Sequence, residues 1–318
     1  MGQARSARTM RVAVTGPTGD FGTLLLPRLR EDRRVERVLT LGTRGASGVR
    51  VVHHRVDLTR YDVESELVEV LTGAQVETLY HLAFLHGRTR SPAFAHEVEV
   101  IGTLHVLAAA ARAGVKKLVM PSDTLVYGAR PGNPVLIDED APLHGCPASR
   151  FVSDRVEVET QVAAFRRAHP EIELTVLRFA PVLGPTADNP ATRFFRRPLV
   201  PTLLGFDPLW QALHEDDACG ALLHVLDRPS AGVFNVVAAD LLPLSAMIAL
   251  AGTRALPLPA PLARAALRAL NAAGITATPA SLLDYLHYGW AADGARCREV
   301  LGFEPRHRAS EALRSLRS

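Results

Sequence analysis

The sequence predicts a doubly wound parallel α/β sheet with a smaller C-terminal lobe. Three observations predict it. The stretch MRVAVTGPTGDFG, Met10 to Gly22, drives a short apolar strand straight into glycines spaced G-x-x-G-x-x-G. Apolar strand-like runs then alternate with helix-period stripes through the first half of the chain. The β-α-β spacing recurs without internal sequence repeats, and the right-handed crossover rule then places the strand ends on one rim.

In chain order, Arg11 to Thr15 reads as the first strand, with Val12 and Val14 alternating against small residues. A helix follows, because Phe21, Leu24, Leu25 and Leu29 recur at helical spacing. Glycines at such a turn let the backbone approach a pyrophosphate, whose charge then sits on free N–H groups at the helix N-terminus. Without a ligand, the same glycines would make a tight turn. Arg37 to Leu41 is the second strand, ending in Gly42-Thr43-Arg44 about 20 residues past Gly22. An acid there would bind the ribose hydroxyls of NAD. Arg44 instead suits a 2′-phosphate, which favours NADP over NAD, unless Arg44 is only a solvated loop residue.

Val51 to Val56 is the third strand and ends in Asp57-Leu58. Asp57 can accept from an adenine amino group or cap the helix that starts near Tyr61. Glu77 to Ala83 is the fourth strand, ending over the expected crevice. Phe94 to Ala113 is a helix stopped by Gly114, and Lys117 to Met120 is the fifth strand.

The chain has 318 residues, 47% of them hydrophobic, enough for one large domain with an appended lobe. Residues Met1 to Thr9 have no apolar run and read as a disordered tail, not a signal peptide. No uninterrupted apolar run reaches the roughly 20 residues of a membrane span. Cys146, Cys219 and Cys297 are far apart and form neither a disulfide framework nor a zinc pattern, which fits a reducing cytoplasm. The net charge of +3 and scattered arginines give no nucleic-acid footprint. No histidines at i, i+4 spacing with a nearby carboxylate suggest a metal.

Further motifs make the pattern specific: TGPTGDFG (Thr15–Gly22), VDL (Val56–Leu58), YHLA (Tyr80–Ala83), GTLHVLAAAARAGVKKLV (Gly102–Val119), VYG (Val126–Gly128), IDEDAP (Ile137–Pro142), LRFAPVLGP (Leu177–Pro185), HEDDACGAL (His214–Leu222), GVFNV (Gly232–Val236) and LGFEP (Leu301–Pro305). With these the chain resembles the extended short-chain dehydrogenases/reductases of the NAD-dependent epimerase/dehydratase group. The resemblance implies a Rossmann domain over 10–178 plus 213–237, and a substrate lobe over 179–212 plus 238–318. It implies a homodimer built on Phe94–Ala113 and Phe151–Ala168, and a small-molecule substrate. The cofactor set it implies is Gly16, Thr18, Gly19, Asp20, Phe21, Gly22, Thr43, Arg44, Asp57, Leu58, Leu82, Ala83, Phe84 and Arg155.

Against that family the chain departs at its catalytic positions. Where a Ser or Thr usually precedes the V-Y-G tyrosine by four residues, this chain has Asp123, flanked by Ser122 and Thr124. The Tyr-x-x-x-Lys segment reads Phe151-Val152-Ser153-Asp154-Arg155, and a structural Asn is replaced by Glu99. Phe151 has no proton to give, and Arg155 is too basic to act as a base, although it could hold the nicotinamide ribose.

Asp123 is the first candidate for substitute acid/base, with a strand-end cap as its alternative. Tyr127 is a second candidate, more often structural. His81 and His86 read first as packed or solvated residues. Asp216 and Asp217 are explained by helix capping. Arg193, Arg196 and Arg197, in the Pro/Phe/Arg-rich segment Pro181–Pro208, could hold an anionic substrate or simply lie at the surface. Nothing in Leu256–Gly274 reads as a nucleotide-sugar signature, so a small apolar metabolite is as plausible as a sugar. The sequence thus points to an atypical NADP(H)-binding enzyme acting on a hydroxyl- or carbonyl-bearing metabolite. The alternatives are a non-catalytic dinucleotide sensor or partner subunit, and a repurposed non-redox enzyme.

Overall fold

The computed structural model describes residues 9–45, 48–85, 91–274 and 279–317. Six strands, β1 (Met10–Thr15), β2 (Val35–Gly42), β3 (Val51–Arg55), β4 (Thr78–His81), β5 (Lys117–Asp123) and β6 (Glu173–Phe179), form one sheet with the later strand Gly232–Val236. Their order is Gly232–Val236, β6, β5, β4, β1, β2, β3, and every pairing is parallel. The order reverses at β1, where β4 lies on one side and β2 on the other. In such sheets this switch point opens the crevice that takes a ligand.

Both sheet faces are covered, which is why β1 and β4 to β6 are almost wholly buried. One apolar core includes Val12, Val14, Leu25, Tyr80, Leu222 and Phe234. The opposite core includes Ala13, Leu67, Leu79, Leu107, Leu118 and Val176. Tyr80 donates its hydroxyl to the Leu222 carbonyl at 2.8 Å, tying the sheet to helix Glu215–His224. Burial holds this phenol well above its ordinary value.

Two elements differ from the sequence expectation. β5 continues through Pro121 to Asp123, past the Met120 end expected from the proline. Its last pair with β4 is Tyr80–Val119, while β6 continues to pair it to Asp123. Pro121 therefore sits where only one flank is bonded, a position in which a missing N–H is tolerated. The second difference is in the helix Pro92–Arg112, where Glu97–Ile101 forms a π-helical turn. That wider turn is invisible to a 3.6-residue pattern. This helix is long and apolar enough to cross a membrane by length and composition. Val100, Val106, Leu107, Ala109 and Ala110 are buried on the sheet.

The segment between β6 and Gly232–Val236 and the residues after Val236 build a third core around Phe195, Trp210, Met247, Tyr285 and Trp290. Trp210 donates its indole N–H to the Tyr285 carbonyl at 2.9 Å, as a buried indole requires. Residues 1–8 of the expected tail, and His86, lie outside the described residues.

Candidate active site

The glycine turn between β1 and helix Asp20–Glu31 has no room for a side chain at Gly16 or Gly22. Gly16 lies at φ +64°, and a Cβ there would meet Ala83 Cα at 2.6 Å. A Cβ on Gly22 would meet the Pro17 carbonyl carbon at 2.6 Å and also strike the Gly16 carbonyl oxygen. Gly19 caps the helix with extended backbone and no side-chain bond, and a helix N-terminus at such a turn suits an anion. Gly22→Ala is expected to weaken dinucleotide binding about tenfold or more, at least about 1.4 kcal/mol. Calorimetric titration checks this; an unchanged affinity would show that the turn is not the binding element.

A groove runs from this turn across the ends of β2, β3 and β4. Gly16, Thr18, Gly19, Thr43, Arg44, Asp57, Leu58, Leu82, Ala83 and Phe84 all line it. Gly22 supports the turn from behind, while Asp20 and Phe21 turn instead into a second cavity. Arg44 stands exposed at the groove. Asp57 Oδ1 accepts from the Thr59 N–H at 3.0 Å and the Thr59 hydroxyl at 2.8 Å. The helix starts only at Val63, so Asp57 fastens a local turn and does not cap that helix.

The second cavity lies at the ends of β5 and β6 and includes Phe21, Asp123, Leu125, Phe151, Phe179 and Ala191 in its lining. Asp123 and Phe151 therefore line the same cavity. Asp123 Oδ1 accepts from the Leu125 N–H at 3.0 Å, so Asp123 does cap a short turn. Its side chain remains 21% exposed, enough to reach a ligand. Burial raises its carboxyl to about 6, partly opposed by the nearby Arg155 guanidinium.

Arg155 lies between the two spaces. Its guanidinium is 4.1 Å from the centre of the Phe84 ring and 5.7 Å from that of Phe151. Its nearest carboxylate oxygens are Asp123 Oδ2 at 3.7 Å and Glu99 Oε2 at 3.9 Å, both too long for hydrogen bonds. It is 2% exposed, and none of its three nitrogens has a hydrogen-bond partner among the described residues. Unmet donors on a buried cation are costly. Acceptors such as the hydroxyls of a dinucleotide ribose would satisfy them, so the residues fit that cofactor. Glu99 sits on the π-helical turn and accepts from the Leu85 N–H at 2.7 Å. The sequence marked Glu99 only as a replaced asparagine. Its place beside Arg155 depends on packing.

Tyr127 is not brought to this group, which corrects its candidacy as a proton donor there. Its hydroxyl donates to Asn235 Oδ1 at 2.7 Å and accepts from Arg178 Nη1 at 2.8 Å. It is buried and its phenol is pushed up to about 12. His81 bridges Thr15 at 2.8 Å and Thr103 at 2.9 Å inside the core, where burial lowers it to about 3. It is a neutral packing residue. Asp216 is not the cap of its helix; His214 Nδ1 accepts the Asp216 N–H at 3.2 Å.

Among the described residues, two groups gather potential metal ligands: His214, Asp216 and His307, and His96, Asp154 and Glu157. In each, histidine nitrogens already bond within the protein: His307 Nδ1 to Asp217 at 3.0 Å, His96 Nδ1 to Asp154 at 3.2 Å.

A glycine turn at the switch point, a groove beyond it and a strand-end cavity beside it define a dinucleotide-binding protein of the extended short-chain dehydrogenase/reductase type. The model of the NAD dependent epimerase/dehydratase family matches residues 12–237, and the chain belongs to that family. An uncharacterized protein of Mycobacterium tuberculosis is 33% identical over 308 residues, 95% of this chain and 82% of its own. A UDP-glucose 4-epimerase of Mycolicibacterium smegmatis is 30% identical over 56% of this chain and 58% of its own. Among solved structures, MoeE5 in complex with UDP-glucuronic acid and NAD superposes with a TM-score of 0.72 at 25% identity, covering 96% of this chain and 97% of that one.

Proposed function

We propose that the chain binds NADP(H) and interconverts a hydroxyl and a carbonyl on a small metabolite, with Asp123 carrying the proton that a phenol carries elsewhere in the family. The observation behind this reading is the Asp123–Arg155 pair, held between the glycine groove and the strand-end cavity. When bound, the dinucleotide supplies the hydride acceptor or donor. Arg155 positions it through its unmet N–H groups and holds Asp123 beside the cavity. Asp123 takes the proton of a substrate hydroxyl when ionised and returns it to a carbonyl oxygen when protonated. Phe151 adds an apolar wall to the cavity that Asp123 lines.

Arg44 supports the choice of NADP, because it lines the groove two residues after Gly42, the position at which an NAD-selective site carries an acid. Arg44→Ala is expected to weaken NADPH about tenfold or more and to leave NADH nearly unchanged, read by calorimetry. Equal losses for both would remove the NADP preference. A sensor or partner subunit is the second reading, favoured by the proton-free Phe151. It predicts dinucleotide binding with no turnover on any hydroxyl or carbonyl compound. The proposal includes a homodimer through Pro92–Arg112 and Arg150–Ala168, supported by the exposure of Phe94 and Leu104 on the first of these helices.

A further inference from the structure

We propose that the C-terminal lobe docks on an anionic lipid surface through helix Ala260–Ala272 and the two strands beside it. The helix lies on that surface and does not span it. This interaction is separate from the reaction proposed at the strand-end cavity.

Helix Ala260–Ala272 packs on the lobe by one side only. Ala263 is buried in the third core, with Ala260 packed against it. The outward side carries Leu262, Ala265, Ala266, Ala269 and Leu270, all exposed, Leu262 by 58% and Leu270 by 40%. Among the exposed residues of this helix, the one charged side chain is Arg268. The solvent side of a helix in a globular protein is normally polar, and a helix apolar on both sides is normally covered.

The apolar surface continues beyond the helix. Strand Arg254–Leu258 leads directly into it and pairs in parallel with strand Leu199–Leu203. The Leu204 N–H donates to the Leu258 carbonyl at 2.9 Å, extending that pairing. Leu199, Leu204, Phe206 and Leu256 are all exposed along these strands.

Charge identifies what covers the face. Residues 189–206 and 241–283, which the strand pairing brings together, hold six arginines and no aspartate or glutamate. The whole chain has a net charge of only +3, so the remainder is net acidic and the positive end lies in this lobe. Arg193 pairs with Asp188 at 2.8 Å and Arg264 with Asp284 at 2.6 Å. Arg196 donates to the Gly184 and Pro185 carbonyls, which leave its charge uncompensated. Arg197, Arg254 and Arg268 are exposed. Asp207 borders the face and accepts from the Ser245 N–H and hydroxyl at 2.8 and 2.6 Å. A second copy of the chain would set these arginines against themselves, and a nucleic acid would leave the leucines in water. Anionic headgroups over acyl chains meet both needs: guanidinium groups take the phosphates while leucines enter the acyl boundary.

Flotation of the full chain with vesicles tests this, using equal parts phosphatidylglycerol and phosphatidylcholine against phosphatidylcholine alone. The anionic vesicles are expected to bind about tenfold or more tightly, and added salt to weaken them. Leu262→Asp/Leu270→Asp and, separately, Arg254→Gln/Arg268→Gln are each expected to reduce that binding by a similar factor. All four side chains lie outside the buried core, so far-UV circular dichroism and the urea midpoint are expected to match wild type. Tyr61→Asp, at an exposed aromatic far along the chain, is expected to change nothing. Equal binding to both vesicles, or binding indifferent to both double variants, overturns the proposal. So does an absence of vesicle binding. Self-association that Leu262→Asp/Leu270→Asp abolishes in analytical ultracentrifugation would then assign the face to a second copy, and its absence would assign the face to another protein.

Discussion

Asp123→Asn is expected to lower turnover by about 10²–10⁴, the usual effect of removing a general acid/base. Asn keeps an oxygen that can accept from the Leu125 N–H, so the turn that Asp123 caps persists. The pH profile carries the sharper signature. With a carboxyl near 6, alcohol oxidation rises through that pH as the base ionises, and carbonyl reduction falls as the acid is lost. The variant flattens both limbs. Stability changes with the same proton. A folded value raised from 3.8 to about 6 means that the group's contribution is full below pH 4 and lost as pH rises through 6. Relative to wild type, Asp123→Asn therefore gains stability across that window, by at most about 3 kcal/mol. Denaturant midpoints at pH 4 and pH 7.5 measure it. A variant that keeps the wild-type rate and limb excludes Asp123 as the proton carrier.

Glu159→Gln is expected to cost about 3–5 kcal/mol of folding stability, the scale for removing one partner of a buried ion pair. Glu159 and Arg178 are 5% and 4% exposed. Arg178 Nε lies 3.0 Å from both carboxylate oxygens, and Nη2 lies 2.6 Å from Oε2. Arg178 also donates to the Glu139 carbonyl at 3.0 Å and to Tyr127. Glutamine keeps the shape but removes the charge, leaving a guanidinium in the core with neutral partners. Urea unfolding checks the loss. The double variant Glu159→Leu/Arg178→Met recovers much of it, since an apolar pair of similar volume avoids burying charge. A single variant as stable as wild type would falsify the view that this buried pair stabilises the fold.

The sequence made the cofactor half legible because its constraints are local. Gly16 and Gly22 sit where any Cβ strikes backbone, so the glycine spacing itself records the turn. Arg44 and Asp57 follow strand ends that period-two patterns locate. The catalytic half was legible as a set of substitutions, not as an arrangement. That Arg155 lies against the Phe84 ring depends on elements some seventy residues apart packing together, and no spacing rule reports it. Arg178 lies inside the motif LRFAPVLGP, and nothing in the sequence singles out its partner Glu159. Their pairing appears only when α-helix Arg150–Ala168 lies on β5 and β6. Glu159 follows Arg155 by four residues, so one helical face carries both. Arginines 193 and 196, which the sequence offers either to an anionic substrate or to the surface, bond within their own loop.

The placement of Gly232–Val236 on the edge beside β6 bears on how the chain is born. Synthesis delivers β6 first and its covering neighbour only after roughly fifty further residues, which at about 5–20 residues per second leaves a bare strand edge for several seconds. An uncovered edge is a template for pairing with another chain. The nascent protein is therefore most exposed to misassembly while its lobe segment is still emerging from the ribosome.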